Sequence, residues 1–302
     1  MNNKLHVSLV VIFLLINSFT AKSQTTSKGN DQLFSKNNLL AWCIVPYDSK
    51  KRSPEERAAM LNDLGITSFV YDWREKDLPN LKHEFATLKK YHIVLKGIWF
   101  WVNDFKYQTL DQASETILKT LAKTNTKTAL WVSFPGNYFE GLTDEEKIQK
   151  AAKTIRYIHK RAAEIGCTVA LYNHEDWFGE PANEVKIIEA SGLKDVGIVY
   201  NFHHGHAQVD DFDNILKVTK PYLTTVNLNG MRGNEFNILP LGEGDHELEL
   251  MIKLKASGFN GSIGILGHTE NEDVKVVLER NLAGLKKLLA QMGEAQALRT
   301  YQ

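Results

Sequence analysis

The 302-residue chain carries no excess of charge: 36 lysines and arginines stand against 36 aspartates and glutamates. A neutral balance offers no electrostatic attraction for nucleic acid or an anionic membrane, so neither is expected as a partner. Cysteine is scarce. Cys43 and Cys167 are too few for a disulfide framework, and both fall in apolar stretches that read as sites of buried free thiols. No glycine-rich turn follows the first strand-like run, because Tyr47-Asp48-Ser49-Lys50 comes directly after Pro46. That absence removes the phosphate cradle of a doubly wound, dinucleotide-binding sheet. No apolar run approaches the roughly 20 residues that span a bilayer.

The nearest to one is Val7 to Ile16, apolar apart from Ser8. Lys4 and His6 precede it, and Ser18, Thr20, Ala21 and Ser23 follow. A short basic start, an apolar stretch and a small-residue exit are the layout of a secretory signal. Ala21 and Ser23 occupy the two positions a signal peptidase reads, so residues 1–23 are expected to be a leader cleaved before Gln24. The mature protein is then expected in the periplasm or outside the cell, with no stable membrane insertion. An uncleaved anchor is the alternative. A lipoprotein anchor is not expected, since no cysteine stands directly after the run. Residues 24–38 are polar and aperiodic and read as a flexible lead-in to one domain over 39–302.

What is present is a regular alternation. Short apolar runs recur at Leu39–Pro46, Ser68–Asp72, Val94–Val102, Ala129–Phe134, Val169–His174, Gly197–Asn201, Thr224–Asn229 and Ser262–Gly267. Amphipathic stretches separate them. Ser53-Pro54-Glu55-Glu56 and Thr143-Asp144-Glu145-Glu146 are helix-opening capping boxes, while Gly65, Gly166 and Gly258 close helices. The last helix is expected over Asp273 to Gln291. Eight strand-and-helix units over about 250 residues describe a single-domain α/β (βα)₈ barrel.

In such a barrel the site is built where strands end. The ends read Tyr71-Asp72-Trp73-Arg74, Trp99-Phe100-Trp101, Tyr172-Asn173-His174-Glu175, Asn201-Phe202-His203-His204-Gly205-His206, Asn227-Leu228-Asn229 and Leu266-Gly267-His268. Five of the ten histidines fall at the fifth, sixth and eighth ends, and five of the six tryptophans at the second to fifth. Indole faces with convergent amide, imidazole, carboxylate and guanidinium groups suit a polyhydroxylated ring, which favours a carbohydrate partner.

These strand-end motifs resemble those of the xylose-isomerase-like family of sugar isomerases and epimerases. The resemblance runs from Leu39 to the last helix and is closest to a secreted branch from Bacteroidetes and Planctomycetes. Tyr71-Asp72-Trp73-Arg74, Leu171-Tyr172-Asn173-His174, Val199 to His206, Asn227 to Met231, Leu239 to Gly244 and Ile263 to His268 carry it together. The resemblance implies a divalent metal held by two glutamates, an aspartate and a histidine, at positions that here are Tyr172, Asn201, Asn227 and Leu266. None supplies the anionic oxygen a hard cation needs. A rebuilt site of His174, His204 and His268 would instead suit zinc or another transition metal.

The chemistry natural to these groups is proton abstraction beside a sugar carbonyl, giving isomerisation, epimerisation or elimination. His174 and His204 are the candidate proton-transfer groups, since imidazole titrates near neutrality. Asp72, Arg74, Trp101, Tyr172, Asn173, Glu175, Asn201, His206, Asn227, Asn229 and His268 are candidates for substrate binding. With no phosphate cradle, an unphosphorylated sugar or glycoside is expected. Two other readings stand beside this one: a non-catalytic carbohydrate-binding barrel, and a glycoside hydrolase using Asp72 and Glu175.

Overall fold

The computed structural model describes residues 32–233 and 237–302, so the expected leader lies outside the described residues. All eight expected strands form: β1 (Leu39–Trp42), β2 (Ser68–Tyr71), β3 (Val94–Trp101), β4 (Ala129–Ser133), β5 (Thr168–Tyr172), β6 (Val196–Asn201), β7 (Leu223–Leu228) and β8 (Ser262–Leu266). Each pairs in parallel with its neighbours. β8 closes onto β1 with Leu39 beside Ile263 and Trp42 beside Leu266, completing an eight-stranded barrel.

Helices α1 (Pro54–Leu64), α2 (Leu81–Lys90), α3 (Gln112–Thr124), α4 (Asp144–Glu164), α5 (Pro181–Ser191), α6 (Phe212–Thr219), α7 (Glu247–Ala256) and α8 (Val274–Gln291) follow the strands, and α9 (Ala295–Arg299) ends the chain. Both capping boxes form as read: Ser53 accepts from the Glu56 amide and Thr143 from the Glu146 amide, each glutamate answering its cap. Gly65 caps α1 in the left-handed region at φ 67°, a conformation glycine adopts without steric cost. Among the described residues no helix is long and apolar enough to cross a membrane.

Strand alternation divides the apolar side chains into two cores. Ala41, Phe69, Ile98, Leu130, Leu171, Ile198, Val226 and Ile265 point outward and meet the helices. Leu40, Trp42, Val70, Trp131, Ala170, Tyr172, Val199 and Leu266 point inward and fill the barrel. At its centre the Trp42 ring lies 5.0 Å from Trp131 and 5.7 Å from Tyr172. Trp131 fits because β3 carries Gly97, where a Cβ would come within 2.7 Å of the indole nitrogen.

The flexible lead-in expected through residue 38 is corrected at its end. Leu33 and Phe34 are buried in the outer core. Asn38 donates to the carbonyls of Leu33 (2.7 Å) and Gly261 (2.9 Å), while Tyr301 donates to the Phe34 carbonyl (2.7 Å). Two apolar residues in a polar segment give no periodic signal, and their partners lie at the far end of the chain. A short hairpin, Phe105–Lys106 with Thr109–Leu110, also follows β3 and was not expected.

Candidate active site

The inward register of the strands continues past their ends. Two residues beyond Val70, Tyr172 and Leu266 stand Asp72, His174 and His268, and all three line a cavity of about 200 Å³ at the carboxyl end of the barrel. Trp42 and Tyr172, each 2% exposed, form its floor. Cys43, Tyr47, Arg74, Trp99, Glu175, Asn201, His203 and His204 complete the lining.

On the floor the Tyr172 hydroxyl meets three groups. Trp42 Nε1 donates to it at 3.3 Å and Asn201 Nδ2 at 2.7 Å, and His204 Nε2 lies at 3.2 Å. Asn201 is oriented in turn by its Oδ1, which accepts from the His203 amide at 3.2 Å. The β6 end thereby holds the β5 side chain in place.

Above this floor the imidazoles are packed together. His174 and His204 have ring centroids 4.6 Å apart, as do His203 and His204, and His203 lies 5.5 Å from His268. Burial pushes all of them below the ordinary histidine range, His203 to about 3 and His268 to about 4. For His203 the neighbouring rings add to burial, and for His268 Arg74 does. Burial also lowers His174, with Glu175 opposing, and holds His204 well below its usual value. The cluster is uncharged at neutral pH, the form in which imidazole can accept a proton.

Asp72 is the counterpart on β2. It is buried, its Oδ1 accepts from the Val45 amide at 3.3 Å, and its Oδ2 has no hydrogen-bond partner among the described residues. Burial raises its pKa to about 7 against the opposing pull of Arg74. Arg74 itself lies over the Trp99 ring at 5.1 Å and donates to Tyr47 Oη at 3.4 Å. Tyr47 stacks on His268 with centroids 3.6 Å apart. Two cavity residues, Cys43 (φ 57°) and Glu175 (φ 53°), are held in the left-handed region without being glycine, a strain typical of functional sites.

Of the residues singled out from sequence, Asp72, Arg74, Tyr172, His174, Glu175, Asn201, His204 and His268 meet at the cavity. Trp101 stands just outside, its ring 5.3 Å from His174. The other four are placed elsewhere. Asn173 spends its amide on the backbone of Asn201, accepting at 2.7 Å and donating at 3.2 Å. His206 bonds the Asn237 carbonyl at 2.7 Å. Asn229 donates to the Gly230 carbonyl. Asn227 is buried against Gly264, where its amide takes the space of a missing side chain. Sequence reading missed Trp42, Cys43, Tyr47, Trp99 and His203 as lining residues, although the β1 alternation of Leu40 and Trp42 already pointed inward and Trp99 and His203 stand in the strand-end motifs. Both cysteines are buried free thiols, as expected.

Residues 54–288 match the family model described as the xylose isomerase-like TIM barrel. The chain belongs to that family. Similar solved structures include the Escherichia coli 3-keto-D-glucoside 4-epimerase YcjR, 16% identical with a TM-score of 0.62 over 84% of this chain and 99% of that one. A D-psicose 3-epimerase crystallised in the presence of D-fructose is 15% identical, with a TM-score of 0.60 over 84% and 99%. The IOLI protein, with a bound zinc atom, is 13% identical, with a TM-score of 0.62 over 87% and 99%. At such identities the likeness establishes the fold. No curated protein sequence matches this chain.

The IOLI structure holds a zinc atom, and the four-residue metal centre that the resemblance implies is not matched by the residues here. Tyr172, Asn201, Asn227 and Leu266 offer a phenol, two amides and an alkyl chain, with no anionic oxygen. The alternative set of His174, His204 and His268 is not gathered into a metal-holding group either. Among the described residues no group of three histidine, cysteine, aspartate or glutamate side chains is placed to hold a metal ion.

Proposed function

We propose that the chain is an exported, carbohydrate-active member of its family that moves a proton at the carbon beside a sugar carbonyl. The observation that carries this reading is that two complementary groups from well-separated strands line one cavity. Asp72 follows β2 while His174 follows β5, three strands round the eight-stranded barrel. One is a carboxyl that keeps its proton up to about pH 7, and the other is an uncharged imidazole. Pairs of groups whose surroundings drive their titration apart divide acid and base duties.

In this mechanism His174 takes the proton from carbon, and the C–H electron pair passes into the carbonyl to give an enolate. Asp72 returns a proton to the other face of that carbon, which inverts the centre. When a substituent on the next carbon leaves instead, the same abstraction gives elimination. Arg74 and Asn201 bind hydroxyls or the developing oxyanion, and Trp99 faces the sugar ring. A cavity of about 200 Å³ suits a single ring.

The test is to incubate the protein in deuterium oxide with a panel of free ketoses and 3-keto-glucosides. Deuterium at the carbon beside the carbonyl is the expected result; no incorporation into any member overturns the reading. Export through the leader, as in the secreted branch that the motifs resemble, predicts a mature protein beginning at Gln24. Mass spectrometry of protein recovered from the cell envelope or medium checks this.

A further inference from the structure

The hydrogen bonds on the cavity floor fix the proton of one histidine, and with it the division of labour among the imidazoles. The indole Nε1 of Trp42 can only donate. Asn201 presents its NH₂ group to Tyr172, because its carbonyl oxygen is already turned to the His203 amide. Two donors therefore occupy both acceptor sites of the Tyr172 hydroxyl. Its own proton has one direction left, toward His204 Nε2 at 3.2 Å. A nitrogen that accepts this bond carries no proton, so the ring proton of an uncharged His204 sits on Nδ1. The Nδ1 edge is the one turned to Glu175 at the cavity mouth, 3.8 Å from Oε1.

We infer that Tyr172 is a positioning residue that locks His204 as the Nδ1–H tautomer, with Nε2 taken by the hydroxyl and the proton turned toward Glu175, so that His174 and not His204 is the base. The inference of roles rests on the proton-transfer reading; the tautomer lock does not. His174 is suited to the remaining duty. Its ring is held by Trp99, Trp101, Tyr172 and His204 through ring contacts.

The test is proton–nitrogen correlation spectroscopy of the full chain with isotope-labelled histidine near neutral pH, the His204 signals being identified by their loss in His204→Gln. The expected spectrum shows His204 with Nδ1 protonated and Nε2 bare. In Tyr172→Phe the bond is gone, and His204 is expected to shift to a mixture of tautomers. A wild-type His204 protonated on Nε2, or on both nitrogens, overturns the lock. An unchanged Nδ1–H tautomer in a folded Tyr172→Phe protein overturns the role of Tyr172. The wild-type spectrum decides the tautomer even if the variant fails to fold. Because no substrate is involved, a failed deuterium-exchange assay with the expected spectrum would sink the reaction and leave the lock standing.

Discussion

At the amino end of the barrel Leu33 and Phe34 are sealed under the sheet, and Asn38 spends its amide on two carbonyls. At the carboxyl end Asp72 is buried as deeply, yet one of its oxygens has no partner among the described residues. Four imidazoles there are crowded into an uncharged cluster, and Cys43 and Glu175 hold strained backbone. The two ends have similar burial and opposite satisfaction of their polar groups. One end contributes stability, whereas the other gives some up to keep reactive groups dry and correctly protonated.

Substitutions at the two ends should therefore separate activity from stability. The largest expected effect is at the mouth. His174→Ala should slow deuterium incorporation by about 10²–10⁴-fold, the usual worth of a general base, with little change in the thermal midpoint. Retention of the wild-type exchange rate would remove His174 from the mechanism. At the other end Phe34→Ala should cost about 3–5 kcal/mol in denaturant unfolding while the folded protein keeps its exchange rate. A loss of activity in step with stability would mean that the two ends are not independent.

The third prediction joins the two quantities in one residue. Asp72 titrates near 7 in the folded chain and near the ordinary carboxyl value when unfolded. The folded state thus binds the extra proton, and the contribution of Asp72 is full in acid and lost as pH rises through about 7. Asp72→Asn cannot ionise, so it should exceed the wild type in stability at alkaline pH by on the order of 4 kcal/mol. The same substitution should abolish inversion in the exchange assay. Equal pH profiles for the two proteins would show that Asp72 is ionised normally.

Much of this was legible in the sequence. Buried parallel strands announce themselves as apolar runs, so all eight were found, and Asp72, His174 and His268 stood out because polar residues end those runs. Alternation explains part of what was misplaced. Asn173 sits between inward-facing Tyr172 and His174, so its side chain turns aside to the neighbouring strand. The Leu33–Phe34 plug and the tautomer of His204 had no local signal, because each depends on partners far away in sequence. Phe34 meets Tyr301, and His204 depends on Trp42, Tyr172 and Asn201.

The clasp between the Phe34 carbonyl and Tyr301, with the Lys36 amide on Thr300, joins the first and last described segments beneath the barrel. A tether or affinity tag attached through either segment would therefore pull on the same spot, on the side away from the cavity. Immobilised this way, the molecules would stand in one orientation with every mouth facing the solution. A surface-bound preparation would then meet large or branched sugars as readily as the protein in solution.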